Sequence, residues 1–390
     1  MSENQINQTD VKESAKQTKV LLVDDQMIVF AGLKKVLADR PDIVINYCSD
    51  PTKAIATANE FLPDVILQDL EMPEIHGLQL LKFYRSHPQL KEIPVIVLTS
   101  NDDPETKKKL FDADANDYLV KMPHEKELKA RIDMQVRTFR LKQEKDKLFM
   151  QLRSELDKAA EYVISLLPIQ ITNEPILTDW RFIPSAELGG DIFGYHWIYK
   201  DNFAMYLLDV CGHGVGSALL AVTAYNALKA QTLPSTDFTK PDQVLSALNE
   251  AFQMAEHNDL YFTMWYGCFN VPTRKLSFGS AGHPPAILFL DGKTESYLNC
   301  ENFIIGGVPG FPFSSLEIDV PKDSLLYVYS DGVYEIEKLD GSMWTIEEMV
   351  DYIKQNEIDI KIDDLYKFVQ KLSNKKVLDD DFSMLKILFK

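Results

Sequence analysis

The stretch K-V-L-L-V-D-D-Q at 19–26 sets the fold of the first part of the chain. An apolar run ends there in two acidic residues, and four similar runs follow, each succeeded by a helical pattern. Strands that alternate with helices form a parallel, doubly wound sheet. We expect an α/β domain over residues 19–122, after a polar, disordered tail at 1–18. The five predicted strands are Val20–Val23, Ile43–Tyr47, Val65–Leu67, Val95–Leu98 and Tyr118–Val120.

Acidic residues follow two of these strands. Asp24 and Asp25 end the first, and Asp69 follows the third, its neighbour where the strand order reverses. Three converging carboxylates repel one another unless a hard cation joins them, and Mg²⁺ suits such a site. The cation would make Asp69 a competent nucleophile toward a phosphoryl group, whose oxygens Thr99 and Lys121 could bind at the ends of the last two strands. The alternative for any single Asp is that it caps the next helix.

This segment resembles a response-regulator receiver domain. The motifs that carry the resemblance are V-D-D-Q at 23–26, D-L-E-M-P-E-I-H-G at 69–77, L-T-S at 98–100 and D-Y-L-V-K-M-P at 117–123. One departure is Met122, because receivers often have lysine and proline adjacent at this point.

The resemblance implies that Asp69 accepts phosphate from a sensor histidine kinase or a small phosphodonor. Asp24, Asp25, Asp69 and the backbone carbonyl of Glu71 would hold Mg²⁺. Thr99 and Tyr118 would form the switch pair, and Lys121 would contact the phosphoryl group.

Residues 123–167 contain no glycine, and proline occurs there only near the start. Apolar residues recur at spacings of three and four, which predicts one long amphipathic helix with at most one break, around Gln143–Lys147. We expect a coiled-coil linker and a homodimer. The alternative is a helix that packs on the next domain. The apolar positions are Leu128, Ile132, Val136, Phe139, Leu148, Leu152, Leu156, Ala159, Val163 and Leu166.

Beyond Pro168 the pattern is mainly β with intervening helices, which predicts an α+β domain over residues 168–390. Acidic residues again lie at predicted strand ends, beside glycines: Asp191, Asp209, Asp331 and the run 379–381. If they meet, they form a two-metal site that could activate water against a phosphoester. Taken singly, an Asp-Gly pair is more often a turn and an acidic run a solvated loop.

The combination resembles the metal-dependent serine/threonine phosphatases of the protein phosphatase 2C-like superfamily, in its stage II sporulation E and RsbU-like group. The matching runs are A-E-Y-V-I-S-L-L-P at 160–168, E-L-G-G-D at 187–191, D-V-C-G-H-G-V-G-S-A-L-L at 209–220, S-A-G-H-P-P-A-I-L at 280–288, G-G-V-P-G at 306–310, Y-S-D-G-V-Y-E at 329–335 and D-D-F-S-M-L at 380–385.

This second resemblance implies a β-sandwich flanked by helices, with two Mn²⁺ or Mg²⁺ ions at one end. Asp209 would bridge both ions, and the carbonyl of Val210 with Asp191, Asp331 and Asp380 would complete the ligand set. The group often carries a further acid three residues after Asp191, where this chain has Gly194.

Composition excludes several classes of function. The chain has 59 acidic and 41 basic residues and a net charge of −18, a balance that repels nucleic acid. No apolar run approaches the roughly 20 residues needed to span a bilayer, and the first residues do not form a signal peptide. The four cysteines are far apart in sequence, so we expect reduced thiols and a cytoplasmic protein.

The sequence thus predicts a response regulator in which phosphorylation of Asp69 controls a protein phosphatase. The resemblance implies an anti-sigma-factor antagonist of the STAS type as substrate, in a partner-switching pathway. The alternative is an adaptor with weak or no activity that binds a sigma factor or another regulator. A DNA-binding regulator is disfavoured, since no helix-turn-helix pattern or basic domain is present.

Overall fold

The computed structural model describes residues 17–101, 103–185, 188–290 and 294–390. Most of the predicted tail, residues 1–16, lies outside this part of the chain. The chain divides into two compact units, residues 1–151 and 152–390. No helix among the described residues is both long and apolar enough to cross a membrane.

The N-terminal unit is the predicted doubly wound α/β fold. Its parallel sheet has the order β2-β1-β3-β4-β5, and β3 and β4 are buried along their whole length. Continuous apolar runs form these strands because helices cover both faces of a parallel sheet. The strands are β1 Thr18–Val23, β2 Ile43–Cys48, β3 Val65–Asp69, β4 Val95–Thr99 and β5 Asp117–Val120; the helices between them are α1 Met27–Val36, α2 Ala54–Phe61, α3 Gly77–Ser86 and α4 Pro104–Asp112.

A single helix, α5, spans Glu125–Leu166 with no break at residues 143–147. Its first turns pack on the N-terminal sheet, where Leu128, Ile132 and Val136 are buried. Its last turns belong to the other unit, where Val163 joins the core. Each end of the helix packs on a domain, as the alternative reading expects, and the coiled-coil dimer stays a prediction.

The C-terminal unit contains two antiparallel five-stranded sheets, ordered β13-β10-β9-β8-β7 and β12-β11-β14-β17-β6. The strands are β6 Ile176–Ile183, β7 Asp191–Ile198, β8 Asn202–Val210, β9 Phe262–Asn270, β10 Lys275–Ala281, β11 Ala286–Phe289, β12 Glu295–Leu298, β13 Leu316–Asp319, β14 Ser324–Tyr329, β15 Ile336–Glu337, β16 Met343–Trp344 and β17 Phe382–Phe389; the helices are α6 Val215–Lys229, α7 Pro241–Ala251, α8 Ile346–Gln355 and α9 Ile362–Ser373.

The two sheets form a sandwich with helices on its outer faces. Buried residues of both sheets, such as Leu207 and Leu385, share one core cluster with α6 and α7. A second cluster joins the other face of the β14-containing sheet to α8 and α9, through residues such as Tyr327 and Val369. The layers are therefore helix, sheet, sheet, helix, as the resemblance implied.

Candidate functional site

The acidic residues of the N-terminal unit meet at one edge of its sheet. Asp24 and Asp25 follow β1, and Asp69 ends the adjacent strand β3. One carboxylate oxygen from each lies within 4.8 Å of the other two. Asp24 and Asp69 are buried and Asp25 is exposed, so the cluster opens to solvent on one side.

Lys121 balances part of this negative charge. Its Nζ lies 2.6 Å from Asp69 Oδ2 and 3.6 Å from Asp24 Oδ2. The backbone N–H of Gln26 donates to Asp24 Oδ1 at 2.8 Å. Burial nevertheless raises the pKa of Asp24 and of Asp69, since both carboxylates are removed from water.

The geometry of the N-terminal cluster fits a hard divalent cation. Asp24 Oδ2 is buried and accepts no hydrogen bond among the described residues, and the Lys121 ammonium lies 3.6 Å from it. A buried carboxylate oxygen without a hydrogen bond is costly unless a cation binds it, and Mg²⁺ prefers oxygen ligands. Asp24, Asp25 and Asp69 would hold it with the Glu71 carbonyl; the Glu71 N–H lies 3.3 Å from Asp69 Oδ1.

The two predicted switch residues lie on neighbouring strands. Thr99, at the end of β4, is buried, and its hydroxyl donates to the Asn101 carbonyl at 3.1 Å. Tyr118, in β5, is half-buried, with its ring edge-on to Phe111 at a centroid distance of 6.0 Å. Thr99 therefore has a local partner that it would leave to contact a phosphoryl oxygen on Asp69.

Four acidic residues of the C-terminal unit lie at one end of the sandwich. Asp191 begins β7 and faces Asp209 of β8 across the antiparallel pair. Asp331 follows β14 and Asp380 precedes β17, which are also antiparallel neighbours. In an antiparallel pair one strand starts where the other ends, so each sheet contributes two acids to the same end. Asp191 thus begins a strand, although the sequence analysis placed it after one.

These carboxylates repel one another. Burial, then the charges of Asp331 and Asp380, raise the pKa of Asp209 to about 7. Burial and the charge of Asp209 also raise the pKa of Asp191. Within the described residues, no lysine or arginine forms an ion pair with any of the four, so this site lacks the balancing ammonium of the first.

The C-terminal acids also fit cations, at a wider spacing. Asp191 Oδ2 is buried without a hydrogen-bond donor in the part of the chain that is described. No three of the described C-terminal acids bring oxygens within 4.8 Å of one another, unlike the N-terminal cluster. Two cations about 4 Å apart need such a spread of ligands, because most acids then bind only one ion.

Two glycines let the backbone approach this site closely. A Cβ at Gly190 would lie 2.5 Å from the Val210 carbonyl oxygen, the predicted backbone ligand. A Cβ at Gly189 would lie 2.1 Å from Asp381 Oδ2. Any side chain at either position would displace the groups that carry the site.

Asp381 has a supporting role that the sequence pattern does not reveal. This residue is buried, and its Oδ1 accepts hydrogen bonds from the Ser185 N–H at 2.8 Å and hydroxyl at 3.1 Å. Its Oδ2 accepts from the Asp191 N–H at 3.4 Å. Asp381 therefore ties the start of β7 to the start of β17, and so connects the acids of one sheet to those of the other.

Comparison with known families identifies both units. A model of the response regulator receiver domain matches residues 20–133, and one of stage II sporulation protein E (SpoIIE) matches residues 199–390. The chain joins a receiver domain to a SpoIIE-family domain. Both resemblances drawn from the sequence motifs are thus confirmed.

Two curated relatives from Bacillus subtilis (strain 168) match the chain. Phosphoserine phosphatase RsbP is 28% identical over 187 residues, which is 48% of this chain and 46% of that protein. Phosphoserine phosphatase RsbU is 23% identical over 240 residues, or 60% of this chain and 70% of that protein. The chain thus spans about half the length of one and 70% of the other.

A solved structure matches the fold of the SpoIIE-family domain. The SiaA-PP2C domain of Pseudomonas aeruginosa superposes with a TM-score of 0.54 and 18% identity, and covers 62% of this chain and 99% of that one. This likeness supports the sandwich architecture described above.

The structure gives a packing reason for Gly194 in the SpoIIE-family domain. Gly194 pairs with Tyr206 of β8, and a Cβ there would lie 2.6 Å from the Tyr206 ring. Residues three apart on a strand point to opposite faces, so a side chain at 194 would point away from the Asp191 carboxylate. Glycine at position 194 therefore makes room for the Tyr206 ring, and the position of Asp191 does not depend on an acid there.

Asp209→Asn should stabilise the metal-free SpoIIE-family domain above neutral pH. The folded state keeps a proton on Asp209 up to about pH 7, whereas the unfolded chain loses it near 3.8. This group therefore lowers stability progressively as the pH rises from about 4 to 7. The free energy of unfolding of the variant should exceed that of the native chain by little at about pH 4.5 and by about 1 kcal/mol or more at about pH 8.

Urea unfolding followed by tryptophan fluorescence in the presence of a chelator measures this difference. The four tryptophans, Trp180, Trp197, Trp265 and Trp344, all lie in the C-terminal unit, so the signal reports that unit alone. Asp201→Asn, on the exposed β7–β8 turn, is the matched control. A gain that stays constant across this pH range would contradict the argument.

Proposed function

We propose that the SpoIIE-family domain is a metal-dependent protein-serine/threonine phosphatase. The observation that carries the proposal is the convergence of Asp191, Asp209, Asp331 and Asp380 at one end of two sheets without a lysine or arginine partner among the described residues. Bound Mn²⁺ or Mg²⁺ would neutralise their charge and activate water for attack on a phosphoester. The adaptor alternative would not require four mutually repelling carboxylates.

In this proposal each acidic residue has its own role in binding or positioning the cations. Asp209 would contact both cations, and Asp191 would reach one of them with its donor-free oxygen. Asp331, Asp380 and the Val210 carbonyl would complete the ligand set. Asp381 would act as a positioning residue, since its hydrogen bonds hold Ser185 and the Asp191 backbone.

The substrate that fits this proposal is a phosphoserine or phosphothreonine protein. The curated relatives RsbP and RsbU both carry the name phosphoserine phosphatase. A STAS-type antagonist of an anti-sigma factor, within a partner-switching pathway, is the substrate that we infer from the resemblance.

Asp331→Asn should abolish Mn²⁺-dependent release of phosphate from a generic phosphoester such as p-nitrophenyl phosphate. Removing one ligand carboxylate lowers metal affinity and misplaces the attacking water, so we expect a loss of about 100-fold or more in kcat/KM. Phosphate release with and without a chelator is the measurement, and Asp201→Asn is the control. Equal, metal-independent turnover in both variants would refute the proposed activity.

We further propose that the receiver domain controls this activity. A carboxylate oxygen of Asp69 would attack the phosphorus atom of a phosphohistidine or a small phosphodonor, whose bond to the phosphoryl group then breaks. Lys121, now 2.6 Å from Asp69 Oδ2, would contact the new phosphoryl oxygens. Thr99 would exchange its bond to the Asn101 carbonyl for a phosphoryl oxygen, and Tyr118 would reorient with it.

Contacts at both ends of α5 support a signal through this helix. Near its start, Ile132 shares a buried cluster with Leu98 and Leu119, which neighbour Thr99 and Tyr118 in sequence. At its end, the Leu166 carbonyl accepts a hydrogen bond of 2.5 Å from the Tyr225 hydroxyl. Tyr225 lies in α6, which follows β8, the strand that carries Asp209 near its end.

Beryllofluoride, which mimics a phosphoryl group on Asp69, should change the phosphatase rate of the native chain at least about twofold. Asp69→Asn should remove this response because no carboxylate remains to bind the mimic. Tyr225→Phe should reduce it, since the bond to the Leu166 carbonyl is lost. Phosphoester hydrolysis with and without the mimic is the measurement, with the exposed Tyr199→Phe as control. A full response in Tyr225→Phe would exclude this route.

We propose that α5 also joins two chains. Met134, Leu141, Leu148 and Leu152 are each 57–60% exposed. At 100° per residue they share one face, opposite the face by which Ile132 and Phe139 enter the receiver core. The spacings of seven and four are those of a coiled-coil seam, so a second copy of α5 fits this face.

Replacing both Leu148 and Leu152 with lysine should convert the dimer into a monomer. Lysines of the two helices would then face one another and repel, where the native chain has apolar contacts. The molar mass measured by light scattering coupled to size-exclusion chromatography should then fall from that of two chains to that of one. Met150→Lys is the control, because Met150 is equally exposed but lies on the opposite side of α5. A dimer that persists in the double variant would disprove this interface.

A further inference from the structure

A basic cleft lies beside the acidic site of the C-terminal unit. It has a volume of about 360 Å³ and is lined by Lys367, Gln370, Lys371, Asn374, Lys375 and Lys376. We refer to these six residues as the lysine cleft. Residues 367–376 contain four lysines and no acid, within a chain whose net charge is −18.

Two of the four ammonium groups are free to bind a ligand. Lys371 and Lys376 are exposed, and neither forms an ion pair with any residue that the structure describes. Lys367 lies 3.6 Å from Asp364, in a pair of which both members are largely exposed. A helix C-terminus is stabilised by one or two basic side chains, so four around one cavity exceed what capping of α9 requires.

The lysine cleft is fixed next to the proposed metal ligands. Lys375 Nζ lies 2.5 Å from Asp379 Oδ2, and Asp379 directly precedes Asp380. Helix α9 is held by the buried residues Leu365 and Val369, and the Tyr366 ring contacts the Phe382 ring at a centroid distance of 5.1 Å. Phe382 begins β17, two residues after Asp380, so the same packing holds the cleft and the acidic site together.

We propose that the lysine cleft binds an acidic segment of the phosphoprotein substrate, close to its phosphorylated residue. This inference rests on the proposed phosphatase function and adds a recognition surface to it. The ammonium groups of Lys371 and Lys376 would pair with Asp or Glu side chains, and Val377, 59% exposed, offers an apolar contact beside them. Charge complementarity speeds encounter and orients the bound chain, so the cleft would select among phosphoproteins.

An acidic protein segment fits the cleft better than a nucleic acid does. Its six lining residues include no aromatic side chain on which a base could stack. The charge of −18 on the whole chain also repels a long polyanion, whereas a short acidic segment meets only the local lysines.

The test compares two phosphoserine peptides of the same core sequence, one extended by a run of Asp and the other by a run of Ser. With the full chain and Mn²⁺, the Asp-extended peptide should have the lower KM. In the double variant Lys371→Glu/Lys376→Glu, the ratio of the two KM values should shift by about tenfold against the Asp-extended peptide, while kcat stays similar. The difference between the KM values of the two peptides should also decrease as salt is added, because salt screens the charges.

Lys200→Glu/Lys322→Glu is the matched control. Lys200 follows β7 at the end opposite Asp191, and Lys322 precedes β14 at the end opposite Asp331, so both exposed lysines lie far from the acidic site. This variant makes the same change in net charge and should leave both KM values as they are. An equal shift in both double variants would mean that only net charge acts, and would overturn the inference.

A binding measurement separates this inference from the phosphatase proposal. Fluorescence anisotropy of a labelled, unphosphorylated Asp-rich peptide reports the cleft even if no peptide is hydrolysed. Binding that is lost in Lys371→Glu/Lys376→Glu and retained in the control would support the cleft. If the native chain does not bind the Asp-rich peptide, and its KM values for the Asp-extended and Ser-extended peptides are equal, the inference about the lysine cleft is overturned. The proposed phosphoester hydrolysis would be unaffected by that result. Tighter, cleft-dependent binding of a labelled single-stranded RNA would overturn it in favour of a nucleic acid.

Discussion

Repulsion between buried carboxylates is the constraint on which both units of this chain depend. Each unit brings at least three acids to one edge of a sheet, where burial raises the pKa of most of them. The receiver domain offsets part of this cost with Lys121, whose ammonium contacts both Asp69 and Asp24. The SpoIIE-family domain has no such lysine among its described residues. The acids of that domain therefore repel one another without an ammonium group among the described residues to offset their charge.

The difference between the two sheets explains how much the sequence could predict. In the parallel sheet each strand is a continuous apolar run, so all five strands and the acids that follow them were found from the sequence. In the sandwich, strand β7 and the short strands β12, β13, β15 and β16 were not predicted, and in β7 the residues Gly194 and His196 interrupt the apolar pattern. The place of β7 is set by pairing with β8, and its glycine is explained only by the Tyr206 ring opposite.

Asp381 shows a second limit of sequence reasoning. Nothing in the run 379–381 distinguishes the acid that faces the site from the acid that supports it. The distinction comes from donors almost 200 positions away in the chain, the Ser185 and Asp191 N–H groups, which meet Asp381 only after both sheets have formed. A buried carboxylate that accepts backbone hydrogen bonds organises a loop, whereas one with a donor-free oxygen is suited to a cation.

The long helix packs on the receiver core near its start and on the sandwich core near its end. The surroundings of its apolar residues change along its length: Ile132 is buried in the receiver core, Leu148 is exposed, and Val163 is buried in the sandwich core. Periodicity predicts a helix but does not show which of its apolar residues enter a core and which stay exposed. A helix with no glycine resists local bending, which is the property that the proposed signal through α5 requires. Near the end of α5, the Leu166 carbonyl accepts a hydrogen bond from the Tyr225 hydroxyl of α6, the helix that follows the strand carrying Asp209.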